Sequence, residues 1–315
     1  MKVAVRVIAI IVVAGASAGA ARAQSAAGLY GARIGVLRAG ALPDHGRADQ
    51  RGLLFDRQAY VGLPGHSGTF TGGHQHNLGY PALNEDPFKG GSTGIPGNLI
   101  SYSGRQVDNS INVNSREVRG VSAGAWYGAG AGAGAGNRSV NRAWGVSVSF
   151  ERGPLTIRAA HQNRNMAPVA PATPMGNNVD AKNAIVAANL RFGSATAYAA
   201  YSATRGWGGS PLFNPDNPYS ASMASTPSTD SRDVLVGLAL PCGSTTLLAS
   251  YIRKNDRDLP NRDANQIAFG ASYSLSRRTD FYASYSRITN RNGAANPESR
   301  WAGSSVLNLG MRHGF

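Results

Sequence analysis

Six histidines, one cysteine and many serines are the residues of this 315-residue chain that could carry covalent or metal chemistry. His74 and His76 are two apart, which on a strand sets both on one face. Neither they nor His45, His66, His161 and His313 are joined by a cysteine or a third ligand at zinc-like spacing, so no metal is expected. Hydrolysis needs a nucleophile, a base and an orienting group. Here Ser, His and acid do not cluster beyond what so many serines produce by chance, so neither an enzyme nor a cofactor is expected. Cys242, within Leu240-Pro241-Cys242-Gly243-Ser244, reads as a turn residue, and a lone cysteine forms no intramolecular disulfide. A sequence pI near 10.4 raises nucleic acid as a partner. No basic run or aromatic–basic interleave supports one, so no nucleic-acid partner is expected.

The chemistry is therefore sought in the elements rather than in a reactive cluster. Lys2 and Arg6 precede the apolar run Val7 to Ala14, and Ala21-Arg22-Ala23 supplies a small-x-small cleavage pattern. Residues 1–23 are thus expected to be a cleaved signal peptide, the run being too short for a spanning helix. Removing them takes away three cations and no acid, so the formal charge falls from +14 to +11. No later apolar run is long enough to span as a helix, and any insertion must use strands.

Strand patterns recur over 24–315, read as one domain. In Trp144-Gly145-Val146-Ser147-Val148-Ser149-Phe150 every second residue is large and apolar, with Gly or Ser between. Ile267, Phe269, Ala271, Tyr273 and Leu275 alternate with Ala268, Gly270, Ser272 and Ser274 in the same way. A soluble sandwich would carry charges on its outer face, whereas a water-filled lumen can be walled by small polar residues. Fourteen segments qualify, although Thr245–Lys254 mixes both faces. Short connections (64–67, 115–120, 152–154, 193–194, 241–244, 276–279) alternate with long ones (39–52, 76–108, 129–142, 164–182, 205–232, 255–265, 289–305). A meander crossing a membrane repeatedly sorts its loops this way, short on one side and long on the other. The expected fold is all-β, a transmembrane antiparallel up-and-down β-barrel of about fourteen strands. The Gly-Ala repeat over 128–136 reads as a flexible external loop. Tyr30, Trp126, Tyr127, Trp144, Phe192, Tyr201, Phe281, Tyr285 and Phe315 suit interfacial aromatic girdles.

Arg57-Gln58-Ala59-Tyr60-Val61-Gly62-Leu63, followed by Gly68-Thr69-Phe70-Thr71-Gly72-Gly73, resembles the strand pair before the constriction loop of trimeric Gram-negative porins. Asn109-Ser110-Ile111, the segment 120–128, Leu247–Ile252, Asp280–Ser286 and the ending Leu309–Phe315 are similar to later strands of that family. The resemblance implies an outer-membrane homotrimer, each barrel narrowed by an inward-folded third external loop, here 76–108. It implies passage of small hydrophilic solutes and inorganic ions, with outer-membrane lipid around the barrel. It assigns Glu85, Asp86 and Lys89 to that loop, and Arg57 and Arg105 to the facing wall. His74 stands where the family usually has another basic residue. A hairpin expected between 39 and 52 is absent, leaving fourteen strands where the family usually has sixteen. Two wall arginines plus Lys89 against two loop acids leave a small positive balance, hence mild anion selectivity. The competing reading is a non-conducting barrel that acts as an adhesin or scaffold through its external loops.

Overall fold

The computed structural model describes residues 33–34, 59–88, 94, 96, 99–100, 106–130, 142–165, 180–206, 230–257, 261, 263–291 and 301–313. The described strands are β1 (Arg33–Ile34), β2 (Ala59–Pro64), β3 (Gly68–His76), β4 (Gln106–Ser115) and β5 (Val121–Gly128). They continue with β6 (Ala143–Arg152), β7 (Leu155–Asn165), β8 (Asp180–Phe192), β9 (Ala195–Arg205) and β10 (Asp230–Cys242). The last are β11 (Thr245–Asp256), β12 (Ala264–Ser274), β13 (Thr279–Arg291) and β14 (Trp301–His313). One helix is described, α1 (Tyr80–Leu83), a single turn inside the long 76–108 connection.

All fourteen strands form one sheet in chain order, each antiparallel to its neighbours, as the alternation of loop lengths predicts. Hairpin turns at Gly193-Ser194 and Gly243-Ser244 contain two residues between paired strand ends. The glycine comes first in each, with φ of +57° and +62°, the arrangement that matches strand twist without a Cβ clash. The expected break at 39–52 lies outside the described residues.

One face of the sheet is apolar and bare. Val146, Val148, Val186, Leu190, Val236, Leu247, Ile267, Phe269, Leu307, Leu309 and Met311 are all exposed. Continuous exposed greasy surface on this scale is untenable in water and is what lipid contact requires. The opposite face holds Ser, Asn, Gln, Ala and Gly, and the described residues of the 76–108 connection pack against it. This is the transmembrane antiparallel barrel that the alternation predicts.

Two expectations are corrected. Trp126 is no girdle residue: it is 5% exposed and packs inside with Val107, Ala143 and Leu78. Its parity on β5, shared with Gly124 and Ser122, turns it to the lumen. The inner face is also less uniformly small than the cleanest strands suggest. Ile185, Leu235, Ile252 and Ile288 point inward at 0–3% exposure and form one cluster with Ala82, Leu83, Leu99 and Ile100 of the long connection. Apolar inner residues on β8, β10, β11 and β13 thus mark where the loop packs, which is why Leu248 and Ile252 blur the two faces of Thr245–Lys254.

Candidate functional site: a loop seated in the barrel

The long connection starts where β3 ends. The Asn77 side-chain oxygen accepts hydrogen bonds from the amides of Gly79 (2.9 Å) and Tyr80 (3.0 Å), which turns the chain into α1. The His76 ring stacks on Tyr80 at 4.1 Å, so one member of the histidine pair serves the turn. From there the loop crosses to the far wall. Glu85 accepts a hydrogen bond from Arg158 Nε of β7 at 2.5 Å and another from Asn189 Nδ2 of β8. Arg158 also pairs with Glu151 of β6 and donates to Ser149 Oγ, so one guanidinium holds a loop acid and a wall acid together. A planar fork with several donors is suited to this bridging role.

The chain then runs along the wall by filling its glycines. A Cβ placed on Gly237 of β10 would come within 2.7 Å of Pro87 Cδ. One placed on Gly270 of β12 would come within 2.9 Å of Phe88 Cε1. Phe88 is 5% exposed, and Gly94 lies against Ala268 with its carbonyl accepting from Gln266 Nε2 at 2.9 Å. Gly237 and Gly270 are thus the seats of loop side chains.

Of the six charged or titratable residues singled out from sequence, three are described. Glu85 sits on the wall as above. Asp86 is fully buried, and its Oδ2 accepts from the Phe88 amide at 2.9 Å, so it shapes the loop rather than facing the passage. His74 pairs in register with Ala59, on the face shared by Val61 and Phe70, which is the outer one. A bulge follows at once, with Asn109 of β4 at φ +50°, a left-handed conformation that Asn tolerates. Beyond it Gln75, not His74, turns inward and donates to the Ser110 carbonyl at 3.2 Å. Arg57, Lys89 and Arg105 lie outside the described residues.

Three inner-face groups escaped the sequence reading. Arg158 is the wall arginine that meets the loop. Its signal was available, because a charge in the middle of a spanning strand can only face the lumen. Lys254 and Asp233 form a second pair, 3.8 Å apart and both 0% exposed, between β11 and β10. On the short-turn side, Arg312 grips Asp280 through Nε (2.8 Å) and Nη2 (2.5 Å) and lies over the Tyr282 ring.

A lipid-facing meander whose inner wall seats the described part of the long 76–108 connection is the architecture to compare with known proteins. The family model described as Gram-negative porin matches residues 35–293, most of the chain. The chain belongs to the Gram-negative porin family. The anion-selective porin from Comamonas acidovorans superposes with a TM-score of 0.62 at 19% identity, covering 85% of this chain and 80% of that one. The outer-membrane channel DcaP of Acinetobacter baumannii gives 0.61 at 13% identity, covering 91% and 82%. The trimer form of OmpT from Vibrio cholerae gives 0.54 at 16%, covering 82% and 80%. At these identities the likeness concerns the fold alone. No curated protein sequence matches the chain. As a Gram-negative porin it is an outer-membrane channel protein.

Proposed function

We propose that this porin is a passive, water-filled channel for small hydrophilic solutes and inorganic ions, mildly anion-selective, and that it works as a homotrimer after removal of residues 1–23. No energy coupling and no covalent step is involved. The observation that carries the selectivity is the state of the loop acids. Glu85 is engaged by Arg158 and Asn189, and Asp86 is buried against its own loop, so neither offers an unpartnered carboxylate to a passing ion.

Among the partly exposed, described residues of the inner face, Arg158, Arg164, Arg191 and Arg312 stand against Glu85, Glu151 and Asp280, a small cationic excess. Arg57, Arg105 and Lys89, all cationic, add to that excess. A small cationic excess in a narrow passage with low-dielectric walls enriches anions. Added salt weakens it, since exposed charges are screened within about 8–10 Å at physiological ionic strength. The anion selectivity of the similar Comamonas porin and the trimer form of the similar Vibrio protein support the same reading.

Reversal potentials across a planar bilayer in a KCl gradient test it. The wild type is expected to favour chloride modestly, and the preference should shrink as salt rises. Arg57→Ala combined with Arg105→Ala should move the reversal potential toward potassium. A wild type that prefers cations overturns the selectivity. Liposomes that fail to swell in small sugars overturn the channel itself and favour the scaffold reading.

A further inference from the structure

Near the short turns the inner wall holds an aromatic ring reclined against it. Tyr282 is an inner-face residue of β13, directly opposite Ser272 of β12 and Gly310 of β14. Both neighbours are small, which leaves the ring room to lie down on the sheet. It does so over β14: a Cβ placed on Gly310 would come within 2.4 Å of Tyr282 Cζ and Oη. Any side chain at 310 would lift the ring from the wall. Tyr282 nevertheless stays partly exposed, so ring surface remains turned to the passage.

A polar pair borders this ring. Arg312, two residues beyond Gly310 on β14, donates from Nε (2.8 Å) and Nη2 (2.5 Å) to a single oxygen of Asp280. That oxygen, Oδ2, also accepts from Ser272 Oγ at 3.3 Å. Arg312 Nη1 is left as a donor and Asp280 Oδ1 as an acceptor, neither with a hydrogen-bond partner among the described residues. The Arg312 side chain is 63% exposed and that of Asp280 26%, so both spare groups are open to water. The Arg312 Cζ stands 5.6 Å from the Tyr282 ring centroid. Stacked atoms in contact lie at about 3.5–4.0 Å, so the guanidinium leans over the ring without covering it.

An apolar face edged by one spare donor and one spare acceptor suits a ring-shaped polyol. We propose that Tyr282, Arg312 and Asp280 form a subsite on which neutral pyranose sugars stack as they pass. The axial C–H groups of a pyranose carry slight positive charge and meet the negative face of the tyrosine ring. A sugar hydroxyl both donates and accepts, so it can take a hydrogen bond from Arg312 Nη1 and give one to Asp280 Oδ1. Charged solutes fit less well: an anion drawn to Arg312 meets Asp280 beside it, and a cation meets the reverse. An open-chain polyol has the hydroxyls but no rigid apolar face, and binding must freeze its rotors one by one. The subsite rests on the channel reading and deepens it, giving the passage a preference for pyranoses over linear polyols of equal size. It does not depend on the anion selectivity.

Saturation-transfer NMR tests the subsite on the mature chain refolded in detergent micelles. The probes are methyl β-D-glucopyranoside and sorbitol, which are close in size. Saturation of the wild-type protein should pass to the glucoside, most strongly to its axial ring protons, at about five times or more the level that reaches sorbitol. Half-saturation is expected on the order of 10 mM, as for a small ligand on an open surface. Tyr282→Leu, its fold checked by far-UV circular dichroism, should remove the difference between the probes. Tyr282→Phe keeps the ring and should keep the difference, while Asp280→Asn should weaken it about two- to threefold. Equal transfer to both probes in the wild type overturns the subsite, whether or not the leucine variant folds. A folded Tyr282→Leu barrel that still favours the glucoside overturns it too, because the contact then lies on another residue. The readout needs no current, so the two readings fail separately. A chain that conducts KCl but treats the probes alike loses only the subsite, and one that favours the glucoside but passes no current loses only the channel.

Discussion

The two halves of the lumen solve opposite problems. Toward the long loops the inner wall is dry: Lys254 and Asp233 are 0% exposed, and Ile185, Leu235, Ile252 and Ile288 close over Leu83, Leu99 and Ile100. Toward the short turns the wall is wet, with the Arg312 side chain 63% and that of Glu151 47% exposed. A charge pair in the first half bears the desolvation of both partners, whereas one in the second half remains largely hydrated. The same residue types therefore do different work: buried charge helps hold the loop end together, and hydrated charge acts on what passes. The contact of Glu85 with Arg158 stands at the seam.

Truncating the buried pair should have the largest effect. Lys254→Ala removes from a dry site the cation that stands 3.8 Å from Asp233, which should cost about 3–5 kcal/mol. Urea unfolding in detergent micelles would register this as a lower midpoint, and an unmoved midpoint would mean that this half is wetter than described. A smaller change is expected from Gly270→Val, which places methyl groups where Phe88 sits. Overpacking of this kind costs about 1–3 kcal/mol, relieved most easily by lifting the loop from the wall. Single-channel records should then show altered conductance and more current noise, while identical records would show that the loop does not set the passage. Least affected should be Arg312→Gln. An exposed pair is worth only about 0–1 kcal/mol, so unfolding should hardly shift, while the reversal potential moves slightly toward cations. A large stability loss there would erase the distinction between the halves.

Most of the architecture was legible because it depends on period alone. Trp144–Phe150 and Ile267–Leu275 alternate cleanly since their large residues all meet lipid and their inner residues stay small, even where Trp126 and Phe88 press against Gly145 and Gly270. The site was harder to read. Arg158 meets an acid 73 residues away, and nothing local to Leu155–Asn165 says which loop will arrive. Asp86 looked like a charge for the passage because its neighbour Glu85 is one, yet a single step along the chain turns it from the wall to the amide of Phe88. His74 was misplaced by simple proximity: the bulge at Gly73 to Gln75 changes which residue turns inward, and a bulge has no periodic signature. Ile252 and Leu248 carried a readable clue, since apolar residues on both faces of a strand announce that something apolar packs inside.

The seating of Pro87 against Gly237 and of Phe88 against Gly270 has a consequence for inheritance and engineering. Loop and wall form a matched set written in three separate parts of the sequence, near residues 87, 237 and 270. A constriction loop transplanted from another porin would arrive with side chains shaped for different hollows. The transplant would hold only if its recesses on β10 and β12 travelled with it. Exchanges confined to the loop should therefore produce barrels that fold but gate erratically, and exchanges of the whole set should produce channels with the donor's passage.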